Sequence, residues 1–258
     1  MTTSPIFRFG TRRLAALVIM LVSAACPAKA ADALGADQKA AIEAVVRDYI
    51  AAHPEIIVDA LRTAKSKTEA DEAAQAKTAL RTHRAELEAS VDSPIAGNPQ
   101  GDVTIVEFFD FRCPYCKSMT PTLVDLLAKD AGVKVVYKDL PILGAESLVA
   151  SRIALVAATS GKYQAFHDAA MASKTPLTAE RSFEIARSIG LDPAKVKLDM
   201  QAPRIDRILK DNMALAVALG IEGTPAFVIG DTLTPGAVDL DTLRGMIAAA
   251  RKAPPSKG

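Results

Sequence analysis

An α/β domain carrying a helical insertion, preceded by a separate helical region, is the fold that three features of this chain predict. Two β-branched and aromatic runs, "VTIVEFFDF" (103–111) and "VKVVYKDLP" (133–141), flank a helical pattern, giving a strand–helix–strand unit with an expected parallel pair. A largely helical block from about 145 to 219 follows, and "TPAFVIGDTLTPGAV" then reads as two short antiparallel strands about a Gly-Asp turn. Ahead of these, residues 31–93 are rich in Ala, Glu, Lys and Arg, with apolar residues at helical spacing.

The first thirty residues read as an export signal. Arg8, Arg12 and Arg13 form its positive end, "LAALVIMLVSAA" its apolar stretch, and Ala28-Lys29-Ala30 a small-x-small cleavage site. The apolar run is too short to span a bilayer. Arg12-Arg13 fits a twin-arginine signal as well as an ordinary positive region. Cys26 would be lipidated in a lipoprotein, but Ser23 stands where such signals usually carry Leu. Cleavage after Ala30 would leave Cys113 and Cys116 as the mature chain's cysteines, in an oxidising compartment, the periplasm. Basic and acidic residues balance at 31 to 30, which argues against nucleic acid and against a polybasic membrane anchor. Trp is absent and aromatics are few, so bases would find no stacking platform.

In residues 31–93, Ile42, Val45 and Tyr49, then Ile57 and Leu61, recur at helical spacing. Pro54 separates the two sets and suits the first turn of a second helix. From Glu55 to Ser93 there is neither Gly nor Pro; helical throughout, it would extend on the order of 50–60 Å. Its later part has few large apolar residues beyond Leu80 and Leu87. A solvated linker helix and an oligomerisation stalk with Ile42 to Leu61 as its adhesive part both fit, because amphipathic spacing does not say which partner is covered. "SPIAGNPQGD" (93–102) is a turn cluster marking the boundary, so the expected divisions are 1–30, 31–93 and 94–258.

Within the last division, Tyr115 to Lys129 reads as the helix between the two strands. The insertion breaks near Gly161, Thr175-Pro176, Gly190 and Asp192-Pro193, with Asp192 capping and Pro193 opening one helix. Asp239 caps a closing helix through Ala250, and the tail beyond it looks frayed.

Cys113 and Cys116 stand two residues apart at the end of the first strand, in Cys-Pro-Tyr-Cys. A disulfide so short in sequence restrains little of the unfolded chain, so a structural staple is a poor reading. Structural zinc wants four ligands, and His53, His83 and His167 are scattered; His167 reads as a core or helix-surface histidine. Two thiolates still suit a soft ion such as Cu(I). A C-x-x-C that follows a strand and opens a helix is a thioredoxin-type redox arrangement. Cys113 would meet the free N–H groups and positive dipole end of that helix, which favour a thiolate, and Pro114 loses no partner in a first turn. Cys116, one turn on, is placed to attack a mixed disulfide at Cys113.

"EFFDFRCPYC", "KDLP" and "GTPAF" resemble the DsbA family of thiol–disulfide oxidoreductases, over about Ser93 to Arg251. The resemblance implies a thioredoxin fold with a helical insertion between its halves. It also implies that Thr224-Pro225 is a cis-proline loop facing the cysteines, against the alternative of an ordinary turn proline. It implies cysteine-containing substrate proteins, a membrane redox partner that resets the pair, no diffusible cofactor and no metal. Glu107 is the odd residue inside an apolar strand, and Lys138 is its expected partner. The resemblance suggests proton transfer beneath the cysteines; a structural ion pair is the other reading. Tyr115 replaces the His of the family's strongest oxidants, which implies a less oxidising couple, although Arg112 would add positive potential. Glutaredoxins also use Cys-Pro-Tyr-Cys, but they are small cytosolic domains. "IAAHPEIIVDAL" with the charged helix after it is similar to the stalk of ScsC-type proteins, linked to bacterial copper tolerance, which implies a trimer or dimer through these helices. The expected function is an exported protein disulfide oxidoreductase or isomerase, with a copper(I)-binding or stalked chaperone-like protein as the alternative.

Overall fold

In a computed structural model of the protein, described for residues 35–88 and 92–252, Pro54 divides two helices at the point its missing N–H selects. The export signal expected at 1–30, with Cys26, and the tail 253–258 lie outside the described residues. The chain falls into two compact units, one up to Leu61 and one from Arg62 onward.

In the first unit, α1 (Ala36–Ala52) ends as His53 leaves helical geometry while its N–H donates to Tyr49 O at 2.9 Å, and α2 (Pro54–Thr82) begins on Pro54. Apolar residues repeat every three or four positions, yet α1 has no buried residue. Val45 is 68% exposed, Tyr49 56% and, at the start of α2, Leu61 65%.

The second unit is built on one sheet. After α3 (Arg84–Glu88) come β1 (Ile95–Gly97), β2 (Val103–Phe109), α4 (Pro114–Lys129) and β3 (Val133–Asp139). The insertion follows as α5 (Ala145–Ala158), α6 (Tyr163–Met171), α7 (Ala179–Ser188), α8 (Pro193–Asp199) and α9 (Pro203–Ala218). β4 (Ala226–Ile229), β5 (Thr232–Pro235) and α10 (Leu240–Lys252) close the chain. The sheet order is β1-β3-β2-β4-β5, with β2 and β3 parallel and the other pairs antiparallel. The expected strand–helix–strand unit, insertion and hairpin are therefore all present.

Strand periodicity assigns the two faces of the sheet. Ile105, Phe109, Val135, Tyr137, Phe227 and Ile229 enter a core shared with α4, the insertion and α10. Val106, Phe108, Val136, Ala226 and Val228 enter a second core on the opposite face. That second core also takes in Leu80 and Leu87, from α2 and α3, upstream of the turn cluster at which the sequence places the start of the domain. Two isolated leucines in a charged helix carry little periodic signal, and only the sheet supplies the surface that buries them.

β1 is absent from the sequence reading. It is three residues long, follows Pro94, and sits inside the expected turn cluster. Pairing with β3 creates it, and Gly97 is required there: its φ is +76° and a Cβ would lie 2.6 Å from Val133 O. The expected caps form, since Asp192 Oδ1 accepts from Ala194 N at 3.0 Å and Asp239 Oδ1 from Thr242 N at 2.7 Å. Among the described residues, no helix is long and apolar enough to cross a membrane.

Candidate active site

β2 delivers the chain into a tight turn, Asp110 to Arg112, and Cys113 caps α4 with extended geometry before Pro114 opens the helix. The turn is closed on itself. Asp110 Oδ1 accepts from Arg112 N at 2.7 Å and Asp110 O from Cys113 N at 3.0 Å. Both cysteines carry free thiols; Cys116 is fully buried and Cys113 retains 4% exposure. Tyr115, between them, is largely exposed.

The loop before β4 comes to the same place. The Thr224–Pro225 peptide is cis, and Cys113 Sγ donates to Thr224 O at 3.1 Å. Residues 111 positions apart in sequence thus meet at the amino end of α4. Cys113, Pro114, Tyr115, Cys116, Thr224 and Pro225 form one cluster.

Glu107 lies beneath them on the inner face of β2, between Ile105 and Phe109, in register with Tyr137 and Phe227. Burial pushes its carboxyl up to about 8. Burial also pushes the Cys116 thiol well above its ordinary value, and the charges of Glu107 and Cys113 add to this while the Asp110 backbone opposes it.

The expected Glu107–Lys138 pair does not form. Lys138 is in register with Phe108, not with Glu107, so strand alternation turns its side chain to the opposite face. There its Nζ donates to Glu86 O and to Ser93 Oγ, both at 2.7 Å, and burial brings the ammonium down to about 8. Arg112 is likewise engaged elsewhere: it pairs with Glu146 at 2.9 Å, which offsets the positive potential expected beside Cys113.

Two further side chains lie in the core on the Glu107 face of the sheet: Asp139, which the sequence reading passed over, and His167, which it expected in the core or on a helix surface. Asp139 is fully buried, accepts from Tyr163 Oη at 2.9 Å, and burial raises its carboxyl to about 7. His167 is a core residue, with its ring 4.5 Å from that of Tyr137 and Nδ1 at 3.2 Å from Asp168 Oδ1. Asp110 was passed over too, although an Asp opening a turn just before a helix is a local signal in itself. Of the other histidines, His53 pairs with Glu55 and His83 with Glu86, each at 3.0 Å. Among the described residues, no group of three or more His, Cys, Asp or Glu side chains could hold a metal ion.

Comparison with known proteins bears on the family and the fold. Residues 104–248 match the DSBA-like thioredoxin domain, and residues 38–70 match the copper resistance protein ScsC N-terminal domain. A thioredoxin-like oxidoreductase from Silicibacter pomeroyi is 43% identical, covering 66% of this chain and 99% of that one, with a TM-score of 0.65. Proteus mirabilis ScsC, in a transitional conformation, is 34% identical over 84% of this chain and 98% of that one, with a TM-score of 0.63. The thiol:disulfide interchange protein DsbA of Bordetella pertussis is 28% identical over 149 residues, 55% of this chain and 69% of that protein. The chain also matches Na(+)/H(+) antiporters NhaA, and spans 27% of the length of the one from Herminiimonas arsenicoxydans.

Proposed function

The chain belongs to the family of DSBA-like thioredoxin domains, and on that premise we propose that it is an exported, periplasmic oxidoreductase exchanging disulfides with cysteine-containing proteins through Cys113 and Cys116. The observation that carries this reading is the Cys113 thiol at the amino end of α4, 3.1 Å from the Thr224 carbonyl of a cis-proline loop.

In the reducing direction, the Cys113 thiolate attacks one sulfur of a substrate disulfide. That S–S bond breaks, a mixed disulfide forms, and the first substrate sulfur leaves as thiolate. Cys116, deprotonated, then attacks the Cys113 sulfur, closing Cys113–Cys116 and releasing the second substrate thiolate. Two electrons pass to the substrate. Run backwards, the same steps insert a disulfide; release from the mixed disulfide to a different substrate thiol is isomerisation. The positive dipole end of α4, at which Cys113 stands, would favour negative charge on Cys113 Sγ. Glu107 is the base that receives the Cys116 proton, because a buried carboxyl near 8 exchanges protons readily around neutrality. Pro114 and Tyr115 frame the cysteines, and Thr224-Pro225 holds the substrate segment. No diffusible cofactor takes part, and a membrane redox partner resets the pair. The exposed stripe of α1 and early α2 joins subunits into a trimer or dimer.

The match of residues 38–70 to a copper resistance protein domain favours one alternative, a copper(I)-holding or chaperone-like protein with the cysteines as ligands. Reactivation of scrambled ribonuclease in a glutathione buffer separates them. The intact protein is expected to restore activity, and Cys113→Ser to abolish that. Reactivation that survives Cys113→Ser, or copper binding through both thiols without exchange, would overturn the enzymatic reading.

A further inference from the structure

Asp110 is a fully buried carboxylate to which the exchange steps assign no task. Burying such a group is costly unless it is well bonded. Its bonds reach in two directions: Oδ1 accepts from Arg112 N at 2.7 Å, within the turn leading to Cys113, and Oδ2 accepts from Leu143 N at 3.0 Å. Leu143 belongs to the link between β3 and α5. Its carbonyl is also taken, accepting from Arg112 Nη1 at 3.1 Å, while the same guanidinium pairs with Glu146. Both main-chain polar groups of Leu143 are therefore bound by the turn that precedes Cys113. Gly144 lets the link leave toward α5 with φ at +106°, and a Cβ there would lie 3.8 Å from Arg112 Nη1.

What this clamp holds up is apolar and open. The side chains of Ile142 and Leu143 are 38% and 43% exposed, on a link tied to the residue adjoining Cys113. A buried carboxylate is an expensive way to fix an exposed loop unless the loop's position matters to what approaches the cysteine.

We propose that Asp110 is a positioning residue: its two oxygens lock the Cys113 turn to the 140–144 link, fixing Ile142 and Leu143 as an apolar rim that selects substrate segments with an apolar side chain beside the reacting cysteine. The inference rests on the exchange activity proposed above and adds a specificity to it.

The test uses the intact protein and two disulfide-bonded peptides identical except for Leu or Ser next to the reacting cysteine, with bis(2-hydroxyethyl) disulfide as a substrate too small to touch the rim. The unaltered protein is expected to show a KM about tenfold lower for the Leu peptide, the scale of a single apolar contact. Asp110→Asn puts an amide N–H against a main-chain N–H, and it is expected to raise the Leu-peptide KM to that of the Ser peptide. Leu143→Ser and Arg112→Gln, both at partly exposed side chains, are expected to do the same, and they carry the test if Asp110→Asn does not fold. Combining Asp110→Asn with Leu143→Ser should cost no more than either alone. A general loss of stability would lower all three reactions together and leave the Leu/Ser ratio unchanged; that result, or a ratio near one in the unaltered protein, overturns the inference. A protein that exchanges with none of the three substrates overturns the exchange reading itself.

Discussion

Glu107 sits inside the core with its carboxyl raised from 4.5 to about 8 by burial, and on the proposed mechanism this residue would couple proton transfer to stability. Between those two values the folded protein keeps a proton that the unfolded chain releases. Stability is thus fully present below about 4.5 and falls as pH rises through about 8, by on the order of a few kcal/mol. Glu107→Gln should flatten that decline in denaturant titrations between pH 5 and 8. Asp139, raised in the same sense to about 7, leaves a residual slope. In the exchange reaction, the same variant should slow resolution of the mixed disulfide at neutral pH by about a hundredfold, the low end for a lost general base. Stopped-flow release of substrate from Cys113 measures it, and an unchanged rate would remove Glu107 from proton transfer. Lys138 has no part in this, since it anchors α3 and Ser93 on the other face.

At the scale of elements, α3 and the end of α2 behave as part of the domain. Leu87 is 1% exposed in the core behind Phe108 and Val136. Leu87→Ala should cost about 2–5 kcal/mol by leaving a cavity there, measured by urea unfolding. Substitutions at exposed positions of the same charged stretch should stay within about 0.5 kcal/mol. A loss at Leu87 no larger than that would mean α3 is not docked in solution. The link between β3 and α5 makes a second test. Gly144 holds a φ of +106°, so Gly144→Ala should destabilise by about 1–3 kcal/mol through backbone strain, even though a Cβ there meets nothing closer than ordinary van der Waals contact.

At the scale of the molecule, the first unit exposes a stripe that its own helices leave uncovered. Such a stripe in water favours association, and each large apolar side chain removed from solvent contributes roughly 1.5–3 kcal/mol. Val45→Asp together with Leu61→Asp should convert the proposed trimer or dimer to a monomer in analytical ultracentrifugation while exchange with a small disulfide continues per subunit. A mass unchanged by both substitutions would assign the stripe another occupant.

The helices, the parallel strand pair, the hairpin, the Cys113–Cys116 pair and the caps at Asp192 and Asp239 follow from local sequence. Each depends on periodicity, turn chemistry or spacing within a few residues. Tertiary structure alone decided the rest. β1 exists because β3 offers an edge, Leu80 and Leu87 are buried because the sheet's second face covers them, and Lys138 turns from Glu107 because strand register sets the face. Asp110 meets Leu143 for the same kind of reason. Side-chain direction in a sheet and contacts between loops are settled by pairing over long sequence distances, and that pairing has no signature within any single segment.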